Sequence, residues 1–380
     1  MAEPFKNLLN ENVIKGIASH FKRYYSSFNE KGFITDATKG LDALALKERS
    51  KRITDTMIQY LPADFEQAGK ILFSSLGTPL EDDLSAGTID DNGIAGWAIM
   101  PLTYYVALQG RAYFDLSMSL LKEMTKCATA EFDIRFFLID CPEKTLAVLD
   151  DWAGDDNQHV RRLVSEGSRP RLPWAMHLPL FIKDPAPVIA LLEKLKDDEK
   201  EYVRRSVANN LNDIAKDHPD LVADIAERWL KEASKERQKL VRHACRTLVK
   251  NGHSKALKVL GFNPPVIQQA KITILTPDVI FGSVLEFTLS LDSDSKQTQA
   301  LMIDFIIHHQ KANGTTSPKV FKWRTTSLEP NKTLALSKKH SIKKITTRKY
   351  YAGLHRVEVM VNGISVGKAD FQLLMPELSG

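Results

Sequence analysis

The residues best suited to chemistry in this 380-residue chain lie between Asp155 and Ala175, in DDNQHVRRLVSEGSRPRLPWA. Fourteen residues of this stretch hold four arginines, the carboxylate Glu166 followed by a glycine, and the indole of Trp174. Unpaired charges are costly to bury, so this mixture is not typical of a core segment. It favours a surface that binds a polyanion and aims a carboxylate at one point. We therefore interpret it as a site that binds DNA and acts on one nucleotide.

Two further carboxylates have similar surroundings. Glu131 and Arg135 are four residues apart, as are Arg162 and Glu166, and this spacing places two side chains on one helix face. Each helix is thus predicted to offer a carboxylate beside an arginine that keeps it ionised. Asp213, in VANNLNDIAKDHP, supplies a third carboxylate one repeat further on.

Several reaction classes lack their sequence signatures. The chain shows no evident serine–histidine–acid or cysteine–histidine spacing, no phosphate-binding glycine loop, no HExxH and no zinc-deaminase motif. A metal-dependent nuclease would cluster its carboxylates with fewer arginines around the metal. Carboxylates that stabilise an oxocarbenium-like sugar and orient a water suit N-glycosidic hydrolysis better. We predict no metal and no cofactor, and keep a nuclease and a noncatalytic binding scaffold as alternatives.

The elements that position these residues are predicted to be helical repeats. Apolar residues recur at helical spacing from Phe5 to about Leu260. The segments NQHVRRLVSEG, KEYVRRSVANN and QKLVRHACRTL align at Val160, Val203 and Val241, and a weaker copy contains Ile134-Arg135. Such spacings fit helical-pair repeats of roughly 40 residues, whose second helices line a concave wall. The arginines are predicted to project from that wall, with pairing to carboxylates of neighbouring repeats as the alternative.

A second architecture begins after Pro264-Pro265. From Val266 onward the apolar residues alternate with period two, and Asn362-Gly363 is a preferred pair for a tight hairpin. About 110 residues in roughly seven short strands predict an antiparallel sandwich of immunoglobulin type. The fold class is therefore mainly α, a HEAT-like α-solenoid over residues 1–263 followed by a small all-β sandwich over residues 266–380.

The basic residues are concentrated in that second part. The chain carries a net charge of +5, and Lys311–Lys349 contains eleven Lys/Arg and one acid, Glu329. Such a segment is typical of an electrostatic footprint for a polyanion, and a merely solvated lysine-rich surface is the alternative. The candidate DNA contacts here are Lys319, Lys322, Arg324, Lys338, Lys339, Lys343 and Lys344.

The remaining composition is that of an ordinary globular protein, with 43% hydrophobic and 26% charged residues. We find no apolar run of roughly 18 residues for a membrane helix and no signal peptide. Three cysteines without CxxC spacing predict reduced thiols. We predict a cytoplasmic monomer without membrane partners. The acidic loop Pro79 to Gly96 is predicted to be a flexible insertion away from DNA.

The motif region resembles a known family. AEFDIRFFL, VRRLVSEGSRPRLPWA, YVRRSVANNLNDIAKDHP and LVRHACRTLVKNG, between about Ala130 and Phe262, resemble successive motifs of the AlkC family of bacterial 3-methyladenine DNA glycosylases. That family is built from HEAT-like repeats, and some members carry a C-terminal immunoglobulin-like domain. The resemblance implies excision of N3-alkylated bases, chiefly 3-methyladenine and also 3-methylcytosine, from duplex DNA. It also implies access by bending the duplex rather than by flipping the base into a deep pocket.

The resemblance assigns roles to the residues above. A base that is already cationic leaves as a neutral molecule without a general acid, so the enzyme must stabilise positive charge on the deoxyribose and supply water. Glu131 and Glu166 are assigned that work, with Asp213 in support. Trp174 is expected to contact the deoxyribose or the lesion, with a wedge between repeats as the alternative. Because no lysine lies in the motifs as a Schiff-base nucleophile, we expect a monofunctional glycosylase that leaves strands intact. The expected DNA contacts of the repeats are Arg135, Arg161, Arg162, Arg169, Arg171, Arg204, Arg205, Asn209, Asn210, Arg242 and Arg246.

Overall fold

The structure is a computed structural model that describes residues 5–81 and 87–376. In these ranges sixteen α-helices precede eight β-strands. The helices are α1 (Glu11–Tyr24), α2 (Glu30–Thr38), α3 (Leu46–Tyr60), α4 (Phe65–Ser74), α5 (Ile99–Gln109), α6 (Phe114–Cys127), α7 (Ile134–Asp140), α8 (Pro142–Trp152), α9 (Gln158–Gly167), α10 (Pro179–Lys183), α11 (Ala186–Leu195), α12 (Glu201–Ile214), α13 (Pro219–Leu230), α14 (Lys235–Ala244), α15 (Arg246–Lys250) and α16 (Ser254–Val259). The strands are β1 (Ile267–Ile274), β2 (Asp278–Ile280), β3 (Val284–Ser293), β4 (Gln299–Gln310), β5 (Thr316–Leu328), β6 (Thr333–Ser341), β7 (Gly353–Val361) and β8 (Ile364–Leu374). The predicted change from helices to strands is confirmed.

The compact units of the chain do not follow that change of secondary structure. One unit contains the chain up to Asp217 together with Ser234–Ala244, and the other contains His218–Ala233 and everything from Cys245 onward. The second unit therefore includes α13, α15 and α16 as well as all the strands. Within it, α13 packs on α16, and an ion pair joins Asp224 to Lys255.

The repeated segments form neighbouring helices in the first unit. α9 packs between α6 and α12, and α12 packs between α9 and α14. The aligned residues Val160, Val203 and Val241 are all buried, as the repeat predicts. The weaker copy at Ile134-Arg135 forms the short helix α7, which packs chiefly on α8.

Local sequence sets both ends of α9. The side chain of Asn157 accepts hydrogen bonds from the backbone N–H groups of His159 (2.9 Å) and Val160 (3.4 Å), which caps the helix. At the other end, a Cβ atom on Gly167 would lie 2.8 Å from Cγ2 of Ile134, so only glycine allows this close approach to α7. Glu166 therefore lies in the last turn of the helix, where the chain enters the proline-rich loop.

The loop predicted between Pro79 and Gly96 is described only in part, since residues 82–86 lie outside the described residues. Its first part is attached to the helices. The backbone N–H of Leu80 donates to the Lys126 carbonyl (2.9 Å), and the Leu80 carbonyl lies 3.0 Å from Nε2 of His159.

The strands form two sheets, with orders β1-β3-β6 and β2-β8-β7-β4-β5. Burial alternates along β3, and Phe287 on β3 meets Phe305 on β4 edge to face at 5.4 Å, so both sheets contribute to one core. Among the described strands every pairing is antiparallel except β2 with β8. Asn362 (φ 48°) and Gly363 (φ 78°) form the predicted tight turn between β7 and β8.

Candidate functional site

The structure brings the three predicted carboxylates together in a chain of alternating charges. Arg162 on α9 lies between two of them, with Nη1 2.8 Å from Oε2 of Glu131 and Nη2 3.9 Å from Oε2 of Glu166. Arg169, in the loop after α9, continues the chain. Its Nη1 lies 2.6 Å from Oε1 of Glu166 and its Nε lies 2.8 Å from Oδ2 of Asp213 on α12.

Glu166 is buried and its carboxylate oxygens are both engaged. The Ser206 hydroxyl donates to Oε2 at 2.6 Å, and Arg169 donates to Oε1. Burial alone would raise the pKa of Glu166, but Arg162, Arg169 and the Ser206 hydroxyl outweigh it and hold that pKa below its ordinary value. Glu166 is therefore anionic at neutral pH although only 5% of it is exposed.

Asp213 lies equally deep. Arg169 donates to its Oδ2, and Nζ of Lys216 lies 2.8 Å from its Oδ1. Both oxygens of this carboxylate are thus paired with cations of the protein. Glu166 and Asp213 can act on a bound molecule through their charge, but their oxygens are already occupied by partners.

Glu131 is the carboxylate that lines a cavity, although only 9% of it is exposed. It lines a cavity of about 230 Å³ together with Arg162 and the rings of Trp97, Phe132 and Tyr202. Its Oε2 accepts hydrogen bonds from Arg162 (2.8 Å) and from the Thr129 hydroxyl (2.8 Å), whereas no donor of residues 5–81 or 87–376 bonds to Oε1. The guanidinium of Arg162 also lies 5.1 Å from the centre of the Tyr202 ring, which adds a cation–π contact.

Trp174 lies in the loop after α9, does not line the cavity of Glu131, and is 63% exposed. Its backbone has φ 67°, a left-handed conformation that bulky residues adopt only when their surroundings impose it. The Trp174 carbonyl accepts a hydrogen bond from Nζ of Lys47 on α3. Trp174 is not a wedge between repeats, because its ring is exposed to solvent and lines a second cavity of about 360 Å³.

The prediction that Arg135 contacts DNA is wrong in this structure. Arg135 is fully buried, and its guanidinium donates to the backbone carbonyls of Met176 (2.9 and 2.5 Å), Gly167 (2.8 Å) and Arg169 (2.7 Å). Burial, followed by repulsion from Arg169, lowers the pKa of Arg135 to about 10. The predicted pair with Glu131 does not form, because α7 begins only at Ile134 and the two residues do not share a helix face. Arg135 instead holds the loop that carries Trp174.

Other predicted DNA contacts pair across the repeats, which was the alternative for these arginines. Arg161 pairs with Asp198 at 2.6 and 3.1 Å, and Arg171 pairs with Asp217 at 2.8 Å through two nitrogens. Arg169 is 7% exposed and held by the two carboxylates named above, so the assignment of Arg169 to phosphates is corrected.

The two predicted asparagine contacts also serve the packing between helices. Asn210 is fully buried and donates to the Ser165 carbonyl (2.8 Å) and to Oγ of Ser168 (3.2 Å), so its assignment to DNA is corrected as well. Oδ1 of Asn209 lies 2.9 Å from Nε2 of His243. These side chains join α9, α12 and α14.

The other predicted cations of the repeats are accessible. Arg205, Arg242 and Arg246 are exposed. Arg204 is half-buried, and its Nη1 donates to the Asp198 carbonyl.

Most predicted cations of the sandwich are exposed. Lys338 is half-buried, with its Nζ 5.5 Å from the centre of the Phe305 ring, and Lys339 pairs with Glu286 at 2.7 Å. The exposed members are Lys319, Lys322, Arg324, Lys339, Lys343 and Lys344.

Several residues of the site were missed from sequence. Ser206, the donor to Glu166, occupies the repeat position of the buried Leu163, so a polar residue at a core position was an available signal. Tyr202 occupies the repeat position of His159, and the two side chains touch, with the phenol oxygen 3.4 Å from Nδ1. Trp97 carries no comparable signal, since it precedes the motifs and repeats none of them.

Two general features of the described chain bear on the site. Within residues 5–81 and 87–376, no group of three His, Cys, Asp or Glu side chains could hold a metal ion. The helices of the same ranges include none that is both long and apolar enough to span a membrane.

Comparison with known proteins gives the family. The family described as "DNA alkylation repair enzyme" matches residues 114–259, and "Uncharacterised protein YhaZ, C-terminal Ig-like domain" matches residues 268–375. The uncharacterized protein YhaZ of Bacillus subtilis is 37% identical over 370 residues, covering 97% of this chain and 99% of that protein. The structure of Pseudomonas fluorescens alkylpurine DNA glycosylase AlkC, bound to DNA containing an abasic site analog, is 36% identical with a TM-score of 0.84, covering 98% of this chain and 100% of that one. The chain belongs to the AlkC-like family of DNA alkylation repair enzymes and carries a C-terminal immunoglobulin-like domain.

Proposed function

We propose that this protein is a monofunctional DNA glycosylase that hydrolyses the N-glycosidic bond of N3-alkylated bases, 3-methyladenine and 3-methylcytosine, in duplex DNA. The observation that carries the proposal is the charge chain Glu131–Arg162–Glu166–Arg169–Asp213, which places an anionic carboxylate with one unbonded oxygen at an open cavity. The likeness to AlkC over nearly the whole chain supports it.

Charge complementarity explains how carboxylates can promote this hydrolysis without a general acid. An N3-alkylated base is a cation that departs as a neutral molecule, and positive charge develops at C1′ of the deoxyribose. Fixed negative charge in a site with little water stabilises that charge. We assign this contact, and the orientation of the attacking water, to Glu131, because its Oε1 has no donor among the described residues. Glu166 and Asp213 offset the positive charge of Arg162 and Arg169, which would otherwise cancel the charge of Glu131.

The surroundings of the carboxylates suit a bent duplex. Trp174, exposed at the neighbouring cavity, would contact the deoxyribose. Arg204, Arg205, Arg242 and Arg246 would contact phosphates, and Arg161, Arg162 and Arg171 would add positive potential while keeping their carboxylate partners. We expect few contacts to base edges, because the lability of the glycosidic bond, and not recognition of the base, would select the lesion.

The sandwich is proposed to clamp DNA through its exposed lysines and arginine. Functionally we divide the chain at Pro264-Pro265, with the chemistry in residues 1–263 and the clamp in residues 266–380. We further propose that the protein acts as a monomer in the cytoplasm, and its three free cysteines support a reducing compartment.

The test is release of methylated bases from dimethyl-sulfate-treated duplex DNA in the presence of EDTA. We expect wild-type protein to release 3-methyladenine and leave the strands intact, and Glu131→Gln to lose this activity. Glu143→Gln, which changes an exposed glutamate at the start of α8, is the matched control and should stay active.

Other outcomes identify the other functions. Broken strands and inhibition by EDTA would mean a nuclease. DNA binding by the folded wild type without any base release would mean a noncatalytic scaffold. Full activity of Glu131→Gln would leave the glycosylase in place and overturn the assignment of Glu131.

A further inference from the structure

A second cavity, of about 360 Å³, opens beside the carboxylate site. Its walls are largely apolar and include Phe132, Phe136, Tyr104 and Met100, with Trp174 at its edge. Phe132 and Met100 also line the cavity of Glu131, so the two cavities are neighbours. Anything that fills the second cavity therefore lies next to a molecule at the carboxylate.

The cavity is held open rather than filled by its own side chains. Collapse of the Trp174 ring into it would cover apolar surface, yet 63% of this residue stays exposed in a left-handed backbone conformation. Two cations hold the loop in this state. Lys47 donates to the Trp174 carbonyl, and Arg135 donates to the Met176 carbonyl. An exposed indole fixed at the edge of an apolar cavity is suited to receive a flat partner.

One buried acid, Asp133, lies in the wall beside the polar residues Lys47, Glu48, Ser50 and Lys51. Asp133 is 5% exposed, and the Thr103 hydroxyl donates to its Oδ2 at 2.6 Å, while no donor of the described residues bonds to Oδ1. Burial raises the pKa of Asp133 to about 7, with Thr103 and Lys47 opposing the rise. Near neutral pH this carboxyl can therefore donate or accept a hydrogen bond.

We infer that this cavity is a second nucleobase subsite, which takes the base directly 5′ or 3′ of the lesion nucleotide on the same strand. The inference rests on the proposed function and extends it. Every nucleobase has two flat faces that stack on aromatic side chains, which Phe132, Phe136 and Trp174 provide. Every base also has a polar edge, which the Asp133 carboxyl can meet. Lys47 at the cavity adds positive charge for the adjoining phosphate, whereas Lys51 is already paired with Asp55 at 2.7 Å.

The occupant is a neighbouring base rather than the lesion because the cavities differ in charge. The cationic lesion is complementary to the anionic Glu131, which lies in the other cavity. At the second cavity the cations Lys47 and Lys51 balance the acids Glu48 and Asp133, so a neutral base suits it better than a cation does. Bending a duplex unstacks adjacent bases at a few kcal/mol per step, and stacking in this cavity would offset that cost.

The experiment uses full-length protein and a duplex with a tetrahydrofuran abasic site, so no chemistry is required. A single 2-aminopurine is placed 5′ of the abasic site, 3′ of it, or opposite it. We expect its fluorescence to change on binding at the 5′ or the 3′ position, and Phe136→Ala to abolish that change. Removal of a stacking ring should also weaken binding about five- to a hundred-fold.

Phe73→Ala is the matched control, because Phe73 is an exposed phenylalanine of the same unit that does not line the cavity. Tyr104→Leu, which changes another half-buried wall residue, repeats the test if Phe136→Ala unfolds. The inference is overturned if both folded variants bind and respond as wild type, or if only the opposite base responds. Failure of the proposed function would be seen in a different assay, as the absence of methylated-base release by the wild-type protein.

Discussion

Arg162 joins α9 to the segment before α7 through a 2.8 Å contact between its Nη1 and Oε2 of Glu131. The other terminal nitrogen of Arg162, Nη2, lies 3.9 Å from Oε2 of Glu166, which is too far for a hydrogen bond. One guanidinium thus orients Glu131 by a direct hydrogen bond and Glu166 by charge alone. Both contacts use Oε2 of their carboxylate, and Oε1 of Glu131 has no donor among the described residues, which is the basis for the proposed role of Glu131.

The contact between Arg162 and Glu131 predicts that changes at these two residues have strongly coupled effects on the rate of base release. Arg162→Lys keeps the charge but cannot contact both Glu131 and the face of Tyr202, so we expect base release to slow by roughly 10- to 100-fold, as for loss of one charged hydrogen bond. A double-mutant cycle of Arg162→Met with Glu131→Gln, followed by single-turnover rates, measures the coupling. We expect about 1–3 kcal/mol. Additive effects of the two changes would contradict a shared role.

The lowered pKa of Glu166 predicts that this residue contributes to the free energy of unfolding in a pH-dependent way. Its folded pKa lies below the unfolded value of about 4.3, so its stabilisation is present above that pH and is lost as the pH falls through the folded pKa. At pH 7, Glu166→Gln leaves Arg169 with one partner fewer in a buried site, and we expect the free energy of unfolding to fall by about 3 kcal/mol. Urea unfolding at pH 7 and at about pH 3.5 measures both values. The difference between wild type and variant should shrink at the lower pH, and a difference that grows there would refute the assignment.

The parts of this protein that follow local rules were predictable from sequence. The aligned valines Val160, Val203 and Val241 identify helices that become neighbours, because a repeat places equivalent residues in equivalent layers. The turn at Asn362-Gly363 follows from the positive φ angles that this pair tolerates. The carboxylates Glu131, Glu166 and Asp213 come together because each lies on a successive repeat.

The ion pairs were predicted only in part, since Arg162 lies 3.9 Å from Glu166 and helps to keep it ionised, as their spacing of four residues predicted. A spacing of four residues suggested Glu131 with Arg135, but the partner of Glu131 is Arg162, 31 residues away. Periodicity gives the face of a helix and says nothing of where that helix begins, and α7 begins after Glu131. Arg135 also shows that an arginine in a basic motif can be fully buried when backbone carbonyls of a loop accept its hydrogen bonds.

Variants of Arg135 and Arg242 should distinguish an arginine that stabilises the fold from one that binds DNA. Arg135→Gln leaves several buried carbonyls without donors, and we expect it to destabilise the protein by about 3–5 kcal/mol without changing the slope of log K against log salt. Arg242→Gln, at an exposed position, should leave stability unchanged and reduce that slope by about one. Thermal unfolding and binding to an abasic duplex across a salt series measure both. A reduced salt slope for a folded Arg135 variant would mean that Arg135 does contact DNA.

The exposed lysines after β6 test the proposed clamp. Lys343 and Lys344 are both exposed, and replacement of both by glutamine removes two charges outside the first compact unit. If both contact phosphates, the salt slope should fall by about two, at roughly 0.9 per contact, and binding should weaken more at low salt than at high salt. The control is Arg356→Gln with Asp370→Asn, which removes an exposed ion pair joined at 2.6 and 3.0 Å and leaves the net charge unchanged. Identical slopes for wild type, control and Lys343/Lys344 variant would mean that this part of the sandwich is only a solvated surface.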